Sequence, residues 1–136
     1  MTVAGATTEF PTGRPDVELR LPADGAYVSV LRTTAAGLAA RLDFTIEDIE
    51  DLRIAVGEAT ALVLPEADPE SDLQCGFHLG ERSLTVEVRV QTSSPAVPDY
   101  ESFAWQVLTT LAASAEEIAT ADSFSVRLTL VSGVDL

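Results

Sequence analysis

Few side chains in this sequence are both chemically reactive and close in sequence to a second residue that could act with them in catalysis or metal binding. The 136 residues include one cysteine, Cys75, and one histidine, His78, on a segment that alternates apolar and polar residues. The alternation places Cys75 among the core residues and His78 on the polar face. A metal site needs several Cys, His or carboxylate ligands to converge, and no spacing of that kind is present. We therefore predict no metal site and a surface histidine.

Cys75 and Trp105 each leave two interpretations open. The pattern around Cys75 favours a small buried hydrophobe, with a redox role through an intermolecular disulfide as the alternative. Trp105 is most simply a core anchor, and the alternative is a partly exposed residue of an interface. A lone cysteine, the lack of a long apolar run and the lack of a secretion signal at the N-terminus together favour a cytoplasmic protein.

Net charge limits the kinds of partner. Acidic residues outnumber basic ones by 22 to 8, which gives a formal charge of −14, and every basic residue is an arginine. Such a chain repels phosphate backbones and anionic lipid surfaces, so we predict no direct nucleic-acid binding and no membrane binding. A positively charged protein partner would be attracted, although the charge also serves solubility.

The first half of the chain predicts a strand and two helices. Residues 1–15 lack periodicity and are expected to form a flexible tail. Alternation over 17–21 predicts a half-buried strand, and Asp24 is a plausible N-cap for a helix over 25–42. Thr45 should cap a second helix that stops at Pro65. The apolar stripes predicted for the two helices are Tyr27, Val30, Leu31, Thr34, Leu38 and Leu42, and then Ile49, Leu52, Val56, Ala59 and Val63.

The second half predicts a hairpin, a third helix and a last strand. Residues 73–79 and 83–91 alternate as two strands, and Gly80 in the connection is free to take a positive φ. Ser102 should cap a helix over 103–117, followed by a strand over 123–132. The apolar stripe predicted for this helix is Phe103, Val107, Leu108 and Leu111. Each strand is apolar on one face only, which favours helices on a single side of the sheet. The prediction is one α+β (α/β) domain over 16–136, a two-layer sandwich with a mixed, mostly antiparallel sheet.

In this order of elements the run 31–59 (LRTTAAGLAARLDFTIEDIEDLRIAVGEA) and the motif at Gly57-Glu58-Ala59-Thr60-Ala61-Leu62 resemble a known family. It is the RsbW-like anti-sigma factor and serine kinase family of bacteria. The resemblance covers about residues 16–132 and implies the GHKL, or Bergerat, ATP-binding fold. It implies a homodimer that binds a sigma factor, phosphorylation of an anti-anti-sigma (STAS-type) protein, and ATP with Mg²⁺ as cofactors.

The same resemblance shows which of the family's chemical groups are missing. Where the family has its Mg²⁺-binding Asn, its adenine-binding Asp and four glycines of the nucleotide loops, this sequence has Leu62, Val90, Thr92, Ser94, Ser102 and Ala104. Leu62 offers no oxygen to a hard cation. Glu58 matches the family's general base, and we interpret it as vestigial, because its position also suits a solvated helix glutamate. The prediction is no cofactor, with ATP and Mg²⁺ only if the chain is an active serine/threonine kinase.

For partner binding, the resemblance points to the first helix and the loop before it as the surface that contacts the sigma factor. Arg32 lies off the predicted apolar stripe near the middle of that helix. A guanidinium can bind a carboxylate of a partner through two hydrogen bonds, so Arg32 is the candidate partner-binding residue. The alternative is a surface ion pair between Arg32 and an acid of the second helix.

Overall fold

The computed structural model describes residues 10–11, 13–94 and 97–133. Short 3₁₀ turns precede the first helix at Gly25–Tyr27 and follow the second at Leu64–Glu66. Within the described residues, no helix has the length and apolar character needed to cross a membrane. The elements are β1 (Val17–Pro22), α1 (Val28–Arg41), α2 (Ile46–Val63), β2 (Asp72–Gly80), β3 (Ser83–Gln91), α3 (Phe103–Leu111), β4 (Ser114–Ala119) and β5 (Ser123–Val131).

The strands form one antiparallel sheet in the order β1-β2-β3-β5-β4. Phe77, Val86 and Leu128 lie side by side on its inner face and are fully buried. The inner-face residues of β2, β3 and β5 share one core cluster with the buried residues of α1, α2 and α3. The predicted α+β sandwich is confirmed. Where the prediction allowed a mixed sheet, all pairings in the described part are antiparallel.

The second helix begins where its capping residue predicts, whereas Asp24 caps the 3₁₀ turn Gly25–Tyr27 and α1 itself starts only at Val28. Asp24 Oδ1 accepts a hydrogen bond from the Ala26 amide at 2.9 Å, and Thr45 Oγ1 accepts one from the Asp48 amide at 3.1 Å. The predicted stripe of α1 is partly wrong, because Tyr27 and Val30 are 39% and 43% exposed. The buried residues of α1 are Leu31 and two alanines, Ala35 and Ala39, and the predicted Leu38 packs against the same core. Small alanine side chains allow close packing, and a prediction weighted towards large apolar residues overlooks them.

The hairpin between β2 and β3 has its positive φ at another residue than predicted. Gly80 pairs with Ser83 across a two-residue connection, and Arg82, not Gly80, has the positive φ of 53°. Gly80 instead lies close to Ser83, because a Cβ at this position would lie 2.8 Å from the Ser83 hydroxyl oxygen, which would have to rotate away. The prediction of a positive φ at Gly80 is therefore wrong, although the hairpin itself forms.

The third helix is shorter than predicted, because its second half is a strand. Helix α3 ends at Leu111, and Ala112 takes an extended conformation with φ −92° and ψ 149°. Residues 114–119 then pair with β5 as the edge strand β4. The predicted helix over 103–117 is wrong beyond Leu111, since hydrogen bonding to β5 outweighs the helix propensity of an Ala- and Glu-rich segment. Phe103, predicted in the buried stripe, is 78% exposed.

Part of the predicted tail lies against the outer face of the sheet. The Asp16 amide donates to the Phe77 carbonyl at 2.8 Å, and Asp16 Oδ2 accepts from the Leu79 amide at 2.8 Å. Pro15 lies over Gly76, where a Cβ would be only 2.9 Å from its ring. Residues 1–9 and 12 lie outside the described part of the chain, so the flexibility of 1–15 stays a prediction.

Candidate functional site

Helix α2 carries the two residues of the central motif. Glu58 and Leu62 are four positions apart on this continuous helix and are both half-buried. Side chains at this spacing lie one helical turn apart on the same side. Leu62 packs against the core cluster, as an apolar side chain at the edge of a buried stripe should. The position therefore presents hydrocarbon where a metal ligand would need an oxygen.

The end of β3 is apolar and closed by its own hydrogen bonds. Val90 is 1% exposed and lies between Leu73 on β2 and Phe124 on β5. Thr92 is buried, and its hydroxyl donates to the Ser94 carbonyl at 2.9 Å and accepts from the Ser94 amide at 3.2 Å. No carboxylate is available at Val90 to accept a hydrogen bond from a purine amino group. The polar atoms of Thr92 are already bonded within the turn.

The loop after α2 is tied to this same turn by Asp68. Its Oδ1 accepts hydrogen bonds from both the amide and the hydroxyl of Ser93, each at 2.9 Å. The Asp68 amide donates to the Gln91 carbonyl at 2.9 Å. No sequence motif marks Asp68, although an aspartate in a proline-bearing loop is a common acceptor for nearby backbone amides. These three bonds hold the start of the 92–102 segment against the chain that leaves α2.

The start of α3 is a capped helix end. Ser102 Oγ accepts a hydrogen bond from the Trp105 amide at 3.1 Å, while Ala104 is half-buried. The rings of Tyr100 and Trp105 meet edge to face with centroids 5.0 Å apart. Ser102 caps α3 as predicted, in a position where the resemblance expects a flexible glycine. Leu62 and Val90 thus present hydrocarbon at two positions where the resemblance expects oxygen ligands.

The side chain of Arg32, which is part of α1, lies against helix α2 at Gly57. A Cβ at Gly57 would be 3.1 Å from Nη1 of Arg32, so the absence of a side chain at Gly57 leaves room for the guanidinium. Arg32 is half-buried, and the ion pairs within the described residues join Arg20 to Asp72 and Arg127 to Glu87. The alternative of an ion pair between Arg32 and an acid of α2 is therefore not formed. Packing on α2 holds Arg32 in place.

Cys75 and His78 occupy opposite faces of β2, as the alternation predicts. Cys75 is 4% exposed, and burial raises the pKa of its thiol to about 12. The thiol is thus protonated at neutral pH and is a poor nucleophile, which confirms the buried hydrophobe. His78 Nε2 lies 3.3 Å from the Gly13 carbonyl oxygen on the outer face. Across residues 10–11, 13–94 and 97–133, no three His, Cys, Asp or Glu side chains are grouped to hold a metal ion.

Two further carboxylates have perturbed pKa values. Asp48 Oδ2 accepts hydrogen bonds from the Gly133 amide at 2.9 Å and the Ser132 hydroxyl at 3.0 Å, and the bond from Gly133 contributes most to lowering its pKa. Glu117 lies on the inner face of β4 opposite Val126 and is 7% exposed. Burial, followed by the charge of Asp99, raises the pKa of Glu117. Its Oε2 has no hydrogen-bond partner.

Comparison with known proteins finds relatives that are serine-protein kinases named RsbW. The serine-protein kinase RsbW of Halalkalibacterium halodurans is 39% identical over 79 residues, which are 57% of this chain and 49% of that protein. The serine-protein kinases RsbW of Bacillus thuringiensis and Bacillus anthracis are each 36% identical over 74 residues, 53% of this chain and 46% of theirs. No family model matches the chain.

These relatives confirm the resemblance to the RsbW-like family. The chain spans about half the length of the curated relatives it matches. What these kinases bind and modify is therefore not carried over to this chain by similarity alone.

Proposed function

We propose that this RsbW-like chain is an anti-sigma factor that sequesters an alternative sigma factor by protein–protein binding, without ATP-dependent kinase activity. An anti-anti-sigma protein of the STAS type competes for it and releases the sigma factor. The protein acts in the cytoplasm of a bacterium as a homodimer and regulates transcription in a stress response. The similarity to RsbW proteins supports the partner-switching part of this proposal.

The packing of Leu62 is the observation that carries the loss of catalysis. An isobutyl side chain in contact with the core leaves no oxygen for Mg²⁺ one turn after Glu58. Phosphoryl transfer depends on such a metal ion to neutralise charge on the phosphates. The hydrogen bonds of Asp68 and Thr92 give further support, because they use polar groups at the end of β3 that would otherwise be free for a ligand.

The placement of Arg32 supports a binding role for α1. Its guanidinium packs over Gly57, and no carboxylate within the described residues lies within 4.0 Å of it. An arginine that is held by packing loses less side-chain entropy when it binds a carboxylate of a partner. In a chain with a charge of −14, a cation positioned in this way fits an acidic group on the sigma factor.

The alternative function is an active serine/threonine kinase that phosphorylates an anti-anti-sigma protein. Two observations favour it: the relatives are named serine-protein kinases, and Glu58 is present at the position of the general base. Thermal unfolding with and without Mg·ATP separates the two functions, because a ligand that binds the folded state raises its stability. We expect no shift, and a reproducible rise at sub-millimolar nucleotide would favour the kinase.

The binding role is tested by Arg32→Glu, with Arg41→Glu as the matched control. Arg41 is exposed at the end of the same helix, so both variants make the same charge change. We expect Arg32→Glu to weaken binding of the cognate sigma factor at least tenfold, about 1.4 kcal/mol, and Arg41→Glu to have a much smaller effect. Calorimetric titration measures the affinity, and circular dichroism checks the fold. Equal affinity for the wild type and Arg32→Glu would remove Arg32 from the interface.

A further inference from the structure

Exposed apolar side chains are concentrated at the start of α3. Val97, Tyr100 and Phe103 are 87%, 52% and 78% exposed, and they fall within seven consecutive positions. Trp105 lies beside them, half-buried against Tyr100. We call these four residues the aromatic surface. Neighbouring exposed aromatic residues are uncommon on a surface that has only water to contact, and they are enriched where proteins bind each other.

Hydrogen bonds fix the backbone of the aromatic surface. Asp99 Oδ1 accepts from the Glu101 amide at 3.0 Å, and the Asp99 carbonyl accepts from the Ser102 amide at 3.4 Å. The N-cap bond from Trp105 to Ser102 continues this chain of contacts. Phe103 is the first residue of α3, so its backbone is held by the helix. A surface ordered before binding loses less entropy on association, which favours recognition.

The chain segment that carries the aromatic surface has charged residues of one sign. Between Val97 and Asp122 the sequence contains five acids and no arginine, lysine or histidine. Asp99 and Glu101 are exposed within the surface itself. Glu117 lies behind Asp99, near enough for the charge of Asp99 to affect its titration, and has a buried oxygen without a partner. The position thus combines apolar contact area with the exposed carboxylates of Asp99 and Glu101.

We propose that the aromatic surface binds a cationic segment of a partner protein, with an apolar face that covers Phe103 and Tyr100 and arginine or lysine side chains that meet Asp99 and Glu101. A second copy of this chain fits poorly, because it would bring the same acids together. An anionic lipid surface is disfavoured for the same reason. The inference does not depend on the proposed anti-sigma function or on Arg32, which lies on a different element.

The experiment uses the chain's single tryptophan, Trp105, as the probe of binding. The full chain is titrated with a tryptophan-free amphipathic helical peptide of leucine and arginine, about 18 residues or five turns long. We expect a saturable change in Trp105 emission. The same peptide with glutamate in place of arginine should give none, because it would face Asp99 and Glu101 with like charge.

A matched pair of variants tests whether binding occurs at the aromatic surface. Phe103→Ser and Ile46→Ser each remove a side chain that is 78% or 79% exposed, but Ile46 begins α2. We expect Phe103→Ser to weaken the leucine–arginine peptide at least tenfold and Ile46→Ser to leave it unchanged. Similar affinities for the two variants would overturn the proposal, since the peptide would then be bound by charge alone.

Two other outcomes would also overturn it. One is a Trp105 emission shift with phosphatidylglycerol vesicles that Phe103→Ser abolishes, which would indicate a lipid-binding surface. The other is a concentration-dependent mass that falls in Phe103→Ser, which would indicate self-association. Arg32→Glu should retain peptide binding, so loss of sigma-factor binding in that variant reports on the proposed function and not on the aromatic surface.

Discussion

Asp48 and Glu117 show two opposite ways of placing a carboxylate in this fold. Asp48 lies at the start of α2 and accepts hydrogen bonds from Ser132 and Gly133 just beyond β5, so its pKa is lowered. Glu117 lies on the inner face of β4, mainly surrounded by apolar groups, and its pKa is raised. The number of donors, in addition to burial, decides the direction of each shift. Asp48 therefore stabilises the fold, and ionised Glu117 weakens it.

The difference separates a structural region from a region suited to binding. At Asp48 the donors that follow β5 and the carboxylate of α2 satisfy each other's hydrogen bonds. Few polar groups there remain available to a partner. At Glu117 one carboxylate oxygen is buried without a donor, and Asp99 and the aromatic surface lie nearby. Residues that reduce the stability of a fold often occur where the protein has a function. The three predictions below test this contrast.

Asp48→Ala should have the largest effect. It removes a charged acceptor from two hydrogen bonds. Bonds to charged groups contribute about 1.5–3 kcal/mol each, and water around this accessible carboxylate screens both, so together they contribute less than the sum. We expect the free energy of unfolding to fall by about 2 kcal/mol, measured by urea denaturation. Glu47→Ala is the control, because Glu47 is in the same first turn and shares the helix-dipole effect without contacting β5. Equal losses in the two variants would show that the dipole, and not the contact with Ser132 and Gly133, is responsible.

Glu117→Gln should act in the opposite direction and by less. The amide keeps the shape and an acceptor oxygen but removes the buried charge and its repulsion by Asp99. We expect the free energy of unfolding at neutral pH to rise by about 1 kcal/mol, because a buried group with an unmet hydrogen bond is less costly when neutral. Glu116→Gln is the control, since Glu116 is exposed on the same strand and faces the other side of the sheet. A loss of stability in Glu117→Gln would mean that the hydrogen bond from the Asp99 amide stabilises the ionised carboxylate by more than burial destabilises it.

The sequence predicts the local structure around Asp48 correctly and that around Glu117 wrongly, because the first depends on local contacts and the second on distant ones. Thr45 and Asp48 belong to a local capping pattern, in which residues three positions apart determine the structure. Strand β4 depends on hydrogen bonds to β5, which no local pattern reveals, and the Ala and Glu residues of 112–117 favour a helix. The local sequence assigns Glu117 to that helix, and therefore predicts neither its burial nor its nearness to Asp99.

The same contrast applies to the candidate site. The substitution of Leu62 for a metal ligand is visible in the motif, because residues four apart on one helix share a side whatever the rest of the fold does. The hydrogen bonds that Ser93 donates to Asp68 join two loops that are 25 positions apart, and only the folded chain brings them together. The sequence also does not predict the exposure of Phe103. Helical periodicity assigns a residue to an apolar stripe, but it does not show whether another element packs on that stripe.

The pH dependence of stability should show both carboxylates, with opposite signs and the smallest effect. Asp48 has a folded pKa below its unfolded value of 3.8, so its contribution is present above that pH and is lost as the pH falls through the folded pKa. Glu117 has a folded pKa above its unfolded value of 4.5. Its favourable contribution to the free energy of unfolding is therefore fully present below pH 4.5 and is lost as the pH rises through the folded pKa. Urea midpoints measured from neutral pH to below 3.8 should therefore show Asp48→Asn approaching the wild type in acid. The advantage of Glu117→Gln should shrink by several tenths of a kcal/mol as the pH falls towards 4.5, because the wild-type carboxyl becomes neutral as well. If the stability gained by Glu117→Gln stayed constant over this range, packing and not charge would explain why Glu117 destabilises the fold. The negative charge of Glu117 would then no longer support the proposal of a cationic partner.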